Sequence, residues 1–564
     1  LDIFDRLGVA GRITGKGVRW NVGRVLCQDR PVTSFVLQEQ PDMRHNGFAN
    51  LQQYYLEEFL VEALQREPLA EIRWLNKVVG LAQAADEGDK PGKVRLQVQT
   101  PEGDYETEAT WAVACDGAGS PVRHMLGLSP EVHDRTEDRW IIIDVVLRGA
   151  QWPEERWTWL DASGNQGRAV WRHKMADDTW RLDFQLHPDE DPAEALTEAA
   201  MRERVLRLVG GPLEFDIAWH GVWAYRHECL DRLRHGRVLF SGDSAHLVAP
   251  FGARGGNGGV QDGDNLAWKL ALVLQGRAGE ELLDTYSDER KSAALENIRQ
   301  ARRSSRFVYP AGDDSASLWR DAIIALAGAH ELPACMVNTG RLCMPAVYAP
   351  SRLVHAGHAL AGRALPNVVL RRAAGGEAPQ SLHGLLGPWF TALYFGDVLP
   401  EEAKTQDHPL LRWVAVGPHC DAAGREALLR QLGAAQDEDV RSGPQTWLVR
   451  PDQHVMAVRD AVQGLAGIRQ MLEQALHMPP GQPATGQPSG TAAIERGSRQ
   501  QQLDDALEHL VALTARCSVG EQRDRLAQLA LLLIERSGDF DAVQQASREI
   551  AASRARQPLA LAIP

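Results

Sequence analysis

Residues 238–274 read VLFSGDSAHLVAPFGARGGNGGVQDGDNLAWKLALVL, and the reading of this stretch decides how the rest of the chain is organised. Its opening, Arg237-Val-Leu-Phe-Ser-Gly, is a short β-branched and apolar run with the pattern of a buried strand. A turn at Gly242-Asp243 leads into a segment holding Pro250, Gly252, Gly255, Gly256, Gly258 and Gly259, which is expected to be a loop. A helix is expected after it, with Leu266, Leu270, Val273 and Leu274 spaced as one buried stripe. A strand that delivers one carboxylate, a loop poor in side chains and a helix N-terminus together suit a polyhydroxylated, partly anionic ligand. Asp243 can accept hydrogen bonds from sugar-like hydroxyls, the glycines admit a close backbone approach, and the helix end favours negative charge. Glycines alone would equally describe an ordinary connection between strand and helix; the carboxylate and the long helix weigh against that.

Composition bounds the alternatives. The 564 residues, 44% hydrophobic, suffice for roughly three or four globular domains. Lys+Arg 61 against Asp+Glu 75 leaves a net charge of -14, which makes nucleic acid and anionic membrane surfaces poor partners. The seven cysteines (Cys27, Cys115, Cys229, Cys335, Cys343, Cys420, Cys517) are scattered and never form CxxC. That argues against a disulfide framework or a zinc site and fits a reducing cytoplasm. No apolar run has the length of a membrane span and no signal peptide is visible.

Upstream, residues 51–64 (LQQYYLEEFLVEAL) are amphipathic, with Leu56, Leu60 and Leu64 expected on one buried face. Residues 72–110 read as strand-rich: Ile72-Arg-Trp-Leu, a turn at Glu87-Gly-Asp-Lys-Pro-Gly, then the alternating Val94-Arg-Leu-Gln-Val-Gln-Thr. Trp111-Ala-Val-Ala-Cys is an apolar strand ending at Asp116-Gly117, and Ser120-Pro121 fits an N-cap followed by proline at the first helical position. Residues 140–223 alternate in strand fashion and hold Trp152, Trp157, Trp159, Trp171, Trp180, Trp219 and Trp223, a cluster better suited to core than to a ligand box. Within it, Trp180-Arg-Leu-Asp-Phe-Gln-Leu as a strand places Arg181, Asp183 and Gln185 on one face. Those three groups suit either a wet pocket or the solvent face of an edge strand. In a pocket, Arg181 could hold a substrate carboxylate and Asp183 could take a proton.

The string GDSAH, Pro250, GARGGN, QD and DNLAWKL resembles the second flavin motif of the single-component (class A) flavoprotein aromatic hydroxylases, the p-hydroxybenzoate and phenol hydroxylase group, and within it 3-(3-hydroxyphenyl)propionate hydroxylase-like members. The resemblance implies FAD as cofactor, with Gly242 among the binding residues, Asp243 on the ribityl chain, and Pro250, Gly255, Gly256, Asn257 and Gly258 along the isoalloxazine ring. Gln53, in a Q-x-x-L-E pattern, resembles the family's flavin-contacting glutamine, with Gln52 as the weaker candidate. Asp116-Gly-Ala-Gly-Ser-Pro-Val-Arg123 resembles the D-G-x-x-S-x-x-R motif linked to FAD and pyridine nucleotide, so Asp116 and Gly117 join the cofactor set while Arg123 could equally be structural. Phenol hydroxylase-like members carry an Arg and a Tyr two apart near Arg181; here the second residue is Asp183, so that phenol-activating role does not transfer. Tyr286-Ser-Asp-Glu-Arg290 resembles the Y-x-x-E-R segment, read here as a structural ion-pair site, and Leu342–Tyr348 as approaching the active site from below.

The implied fold is α/β: a Rossmann-like FAD-binding domain interleaved with a substrate-binding sheet, followed by a thioredoxin-like domain and a helical tail. The expected bounds are 1–139 and 224–350 for the FAD-binding parts, 140–223 for the sheet, 353–475 for the thioredoxin-like domain, 476–500 for a linker and 501–556 for the tail. Three strand signals (Leu385–Gly396, Leu411–Val416, Thr446–Arg459) mark the third domain; lacking CxxC, it suits a structural or homodimer-contact role. The tail could pack on its own chain or bind a partner helix. No GxGxxG occurs in the sequence, so the FAD-binding domain is expected to be N-terminally incomplete. The implied activity is NAD(P)H- and O2-dependent hydroxylation of a small phenolic, acidic substrate through a flavin C4a-hydroperoxide, without a metal and with Pro250, Arg181 and Asp183 near the reacting atoms. A flavin oxidoreductase that does not hydroxylate, or an inactive scaffold, are the alternatives.

Overall fold

The computed structural model describes residues 1–37, 42–45, 47–85, 92–148, 152–310, 312, 314–348, 351–355, 358–370, 380–419, 422–431, 445–460, 467–477, 499–537 and five positions between 542 and 548. The expected turn at 87–92 and the linker at 476–500 fall almost wholly outside them, as does most of the tail beyond residue 537. Among the described residues no helix is long and apolar enough to cross a membrane.

The largest unit is an eight-stranded sheet. Its strands run in the order His246–Leu247, Phe215–Cys229, Glu131–Leu147, Thr179–Gln185, Arg168–Lys174, Arg156–Ala162, Val22–Cys27, Arg30–Val36. It therefore reaches beyond the expected 140–223 and takes in two strands from near the start of the chain. Every pairing is antiparallel except that of Arg156–Ala162 with Val22–Cys27. Alternation gives it two different faces. Ile141, Ile143, Val145, Trp180, Leu182 and Phe184 face Ala195, Met201 and Val205 of two covering helices. Trp140, Leu160 and Trp171 face Ala249, Phe251, Ala301 and Phe307.

Beside it lies a small sheet in which Ala112–Ala114 and Val238–Phe240 run parallel, with Arg234–His235 on the outer edge. Its core includes Leu239, Phe240, Leu266, Leu283 and Tyr286. The helix expected after the glycines starts earlier, at Arg254, and runs to Leu274. Gly255, Gly256, Asn257, Gly258 and Gly259 thus form its first turns and not a loop. Glycine costs a helix about 1 kcal/mol per residue, and here close packing offsets it. A Cβ on Gly259 would lie 3.3 Å from the Cα of Gly242. Of the expected stripe, Leu266 is buried and Leu270 and Val273 pack beside it, but Leu274 is 55% exposed. Trp268, Lys269 and Leu272 form the other buried side.

Helix Gln53–Leu64 forms as expected, though Phe59 is its buried centre and Leu64 is exposed. Ile72–Leu75 is not a strand; the three-stranded sheet there is built from Lys77–Gln83, Val94–Thr100 and Gly103–Ala109. Ser120 caps Pro121–Met125 by accepting from the Arg123 amide, as expected.

The C-terminal sheet has the order Leu411–Ala415, Phe390–Tyr394, Gln445–Val449, Val455–Asp460, the first pair parallel and the others antiparallel. One face packs on Ala427 and Leu428. The other packs on helix Ile468–Leu476 and on Trp268 and Leu272 of the glycine-led helix. A buried ion network bolts this junction. Glu289 accepts from Lys269 Nζ at 2.7 Å and from Arg450 Nη1 and Nη2 at 2.6 and 2.9 Å, while Arg450 also reaches Asp452. The two cations hold the Glu289 carboxyl well below its usual range against the opposing effect of burial. Of the tail, helix Arg499–Thr514 packs on the chain itself: Arg303 pairs with Asp505 and Glu508, and Arg341 with Asp504.

Candidate functional site

The two parallel strands end side by side, and each delivers an acidic turn. After Val238–Phe240, Gly242 takes φ +63°, a left-handed conformation suited to glycine, and Asp243 follows with its side chain exposed. Among the described residues no group donates to the Asp243 carboxylate. The turn is held from beneath by Asp262, a fully buried residue of the glycine-led helix. Asp262 accepts from the Gly242 amide at 2.9 Å, from His246 Nε2 at 2.8 Å and from Arg290 Nε at 2.6 Å. Burial alone would raise its pKa, but His246 and Arg290 hold it down at about 2. Arg290 also donates to Gly258 O and to the Tyr348 hydroxyl, and Tyr286 donates to Phe240 O. The Y-x-x-E-R segment is therefore structural, and the part it fixes is the Gly242–Gly259 contact.

Ala253 takes φ +55° and gives the helix beginning at Arg254 no side-chain cap, which leaves its first amides open. Pro250 is exposed at the mouth of this turn. Behind it, Arg254 donates to Asn297 Oδ1 and to the carbonyls of Arg341 and Leu342, and the Cys343 amide donates to Gly252 O. A Cβ on Gly252 would lie 1.8 Å from Arg341 O, so only glycine fits there. The 341–343 segment thus clamps the loop, as its expected approach to the site suggests.

Around the neighbouring turn, Asp116 accepts from Ser120 Oγ at 2.6 Å and from the Val122 amide at 2.9 Å. Both its oxygens serve the local helix cap, and Gly117 takes φ +80° in the open. Arg123 forms no ion pair among the described residues; it donates to Ser244 O at 2.9 Å and Ala118 O at 2.5 Å, tying the two acidic turns together. The two glutamines differ in their settings. Gln53 is exposed and bonds Glu57, whereas Gln52 is 5% exposed and donates to Ala176 O at 2.9 Å.

The sheet face carrying Trp140 and Trp171 turns towards this loop. The two indoles stack at 4.4 Å, and Phe251 meets Trp171 edge-on at 5.2 Å. Arg181, Asp183 and Gln185 share this face as expected, yet they are not equivalent. Arg181 is clamped by Asp144, with Nε and Nη2 each 2.8 Å from a carboxylate oxygen. Gln185 is consumed structurally, donating to Asp138 at 2.6 Å and accepting from the Ala169 amide. Asp183 is 8% exposed and its Oδ1 has no hydrogen-bond partner. Burial pushes its carboxyl up to about 7, with Arg181 and Arg156 pulling down and Asp144 pushing up. Register places His173 opposite Arg181. Burial, Arg156 and Arg181 together hold its imidazole neutral, at a pKa of about 3. Sequence reading missed Asp144, His173, Arg156 and the Asp262–Arg290 pair. The last had the clearest local signal, since both residues lie within motif strings.

The uncapped helix end, the glycine-only approaches and the unpaired Asp243 fit one half of a flavin dinucleotide: a polyol that donates to a carboxylate, and a ring whose edge meets open amides. Comparison with known proteins agrees. The family model described as FAD binding domain matches residues 1–301. A 3-(3-hydroxy-phenyl)propionate/3-hydroxycinnamic acid hydroxylase of Mycolicibacterium gilvum is 29% identical over 424 residues, 74% of this chain and 71% of that protein. A second protein of that name, from Burkholderia vietnamiensis, is 27% identical over 499 residues, covering 83% and 86%. Among solved structures, the flavin-dependent monooxygenase PieE in complex with FAD and substrate superposes with a TM-score of 0.68 at 21% identity, covering 84% and 90%. With the family model matched over more than half its length, the chain belongs to the FAD binding domain family.

Proposed function

We propose that the chain is an FAD-dependent monooxygenase that hydroxylates a phenolic acid with NAD(P)H and O2. One observation carries the substrate class: Asp183 is a buried carboxyl whose Oδ1 has no hydrogen-bond partner and whose pKa is pushed up to about 7, on the sheet face that packs against the glycine-clamped loop. A base poised near neutrality suits withdrawal of a proton from a phenol, which makes the ring carbons electron-rich. The relatives' names point the same way, since 3-(3-hydroxyphenyl)propionate and 3-hydroxycinnamate each join a phenol to a carboxylate.

FAD, reduced by NAD(P)H, supplies the electrons and the oxygen chemistry. With FAD bound, Asp243 would accept from the polyol hydroxyls, Gly242 and Gly255–Gly258 would admit the ring and Pro250 would border it; Asp116, Gly117 and Gln53 are assigned a supporting role. Asp262 and Arg290 hold the turn rigid, and Trp140, Trp171 and Phe251 keep water from the space beside it. Asp183 takes the phenolic proton. The expected domain bounds are retained as assignments, with the sheet widened to include residues 22–36 and 131–139. The C-terminal sheet, with one parallel and two antiparallel pairings and helices on both faces, supports a thioredoxin-like architecture in a structural role.

The test is a purified chain loaded with FAD and mixed with NAD(P)H and 3-(3-hydroxyphenyl)propionate. Cofactor oxidation that rises with substrate and yields a dihydroxylated acid is expected. A chain that retains no flavin, or that oxidises NAD(P)H without forming hydroxylated product, contradicts the reading.

A further inference from the structure

The strand Arg156–Ala162 pairs with Arg168–Lys174 so that Thr158 lies opposite Trp171. By alternation Arg156, two residues earlier, stands on the same face as Trp171, His173 and Asp183. Its guanidinium lies 5.9 Å from the ring centres of both Trp20 and Trp171. It also reaches the clamp of the cofactor loop, since Nη2 is 3.6 Å from where a Cβ on Gly340 would sit, and that same position is 3.0 Å from the Gly252 amide. A cation in this place would ordinarily be neutralised. Among the described residues, however, Arg156 has neither a hydrogen-bond acceptor nor an ion-pair partner. The groups facing it do not supply one: Asp183 forms no ion pair with it, His173 is neutral, and Arg181 is a second cation already held by Asp144. Desolvation lowers the Arg156 pKa, and the nearby Asp183 carboxylate opposes this without touching the guanidinium.

Resting on the hydroxylase reading above, we propose that Arg156, and not Arg181, binds the carboxylate of the substrate, and so sets the specificity of the pocket for aromatic acids over neutral phenols. The planar fork of Arg156 has its five donors free for a bidentate contact, whereas Arg181 has already given Nε and Nη2 to Asp144. An aromatic acid held this way brings its anion to a cation with no hydrogen-bonded partner among the described residues and lays its ring along the Trp20 and Trp171 wall, towards Asp183. In the complex the substrate anion answers Arg156 and Asp144 answers Arg181, while Asp183 is left to carry the phenolic proton.

The experiment compares 3-(3-hydroxyphenyl)propionate with its primary amide on the FAD-loaded protein, following the change in tryptophan fluorescence and in the visible flavin band. The wild type is expected to bind the acid roughly 10- to 100-fold more tightly than the amide, the range of a charge-assisted bidentate contact. Arg156→Met should abolish that preference by weakening the acid alone, and Arg156→Lys, which keeps the charge without the fork, should restore part of it. A retained flavin band in each variant shows that the fold persists. If Arg156→Met keeps the preference, or if Arg181→Met removes it instead, the assignment is overturned while the hydroxylase reading stands. If the wild type turns over acid and amide equally well, the anion subsite is overturned. If it binds both compounds yet hydroxylates neither, the activity reading fails, and the acid–amide comparison still decides the role of Arg156.

Discussion

Replacing Asp183 with Asn tests the central electrostatic feature of the site. Burial raises the Asp183 carboxyl from 3.8 to about 7. The native protein then holds that proton more tightly than the unfolded chain, so the group costs stability as pH rises. The cost begins near pH 4, where the unfolded carboxyl ionises, grows to about pH 7, and is complete above it. At about 1.4 kcal/mol per pH unit the full cost is about 4 kcal/mol. Asn has nearly the shape of the protonated acid and carries no charge at any pH. Asp183→Asn should therefore match the wild type at pH 4 and exceed its stability by about 2–4 kcal/mol at pH 8, while losing the proton acceptor. Denaturant midpoints of both proteins across this range measure the difference, in which every other titrating group cancels. Wild-type kcat/KM for the phenolic acid should rise with pH through about 7, and this limb should vanish in the variant. A stability difference that does not change between pH 4 and pH 8 would refute the raised pKa, and with it the assignment of Asp183 as the base.

Other perturbations address the scaffold around the cofactor. Asp243→Ala should raise the Kd for FAD by roughly tenfold or more, as expected for losing a charged hydrogen-bond acceptor; a variant that carries its flavin through gel filtration as well as the wild type removes Asp243 from the contact. Glu289→Ala leaves Lys269 without an ion-pair partner and Arg450 with Asp452 alone in the junction between the glycine-led helix and the C-terminal sheet, and should cost about 3–5 kcal/mol in denaturant unfolding. A loss below about 1 kcal/mol would mean that the network is dispensable. Asp504→Asn should release Arg341, whose carbonyl abuts Gly252, and speed hydrogen exchange of the Cys343 amide that bonds Gly252 O. Unchanged exchange would show that the tail helix has no hold on the cofactor loop.

What could be read from the sequence was what local chemistry determines. The strand, the Gly242-Asp243 turn and the long helix were legible in one contiguous string, and period-two alternation correctly put Arg181, Asp183 and Gln185 on one face. Their different fates were not legible, because the partners that distinguish them come from elsewhere. Asp144 and Asp138 belong to the neighbouring strand Glu131–Leu147, and a register between distant strands is set by tertiary packing. The start of the glycine-led helix was placed too late for a related reason. Intrinsic propensity disfavours four glycines in the first two turns, and the packing of Gly259 on Gly242 that overrides it is invisible in one dimension. Gln52 and Gln53 show the same limit at a helix start, where one residue of rotation separates a buried amide from an exposed one. Arg156 had a faint signal in its alternation against Trp157 and Trp159, but its want of a counter-ion is a property of the folded neighbourhood alone.

The most direct measurement is the fate of isotope-labelled O2 in a reaction of the FAD-loaded chain with NAD(P)H and 3-(3-hydroxyphenyl)propionate. Mass spectrometry should find one labelled oxygen atom in the ring of the product, formed in step with NAD(P)H consumed. Label found only in peroxide and water, with the acid recovered unchanged, would contradict the account and leave the protein a flavin-binding oxidoreductase that does not hydroxylate.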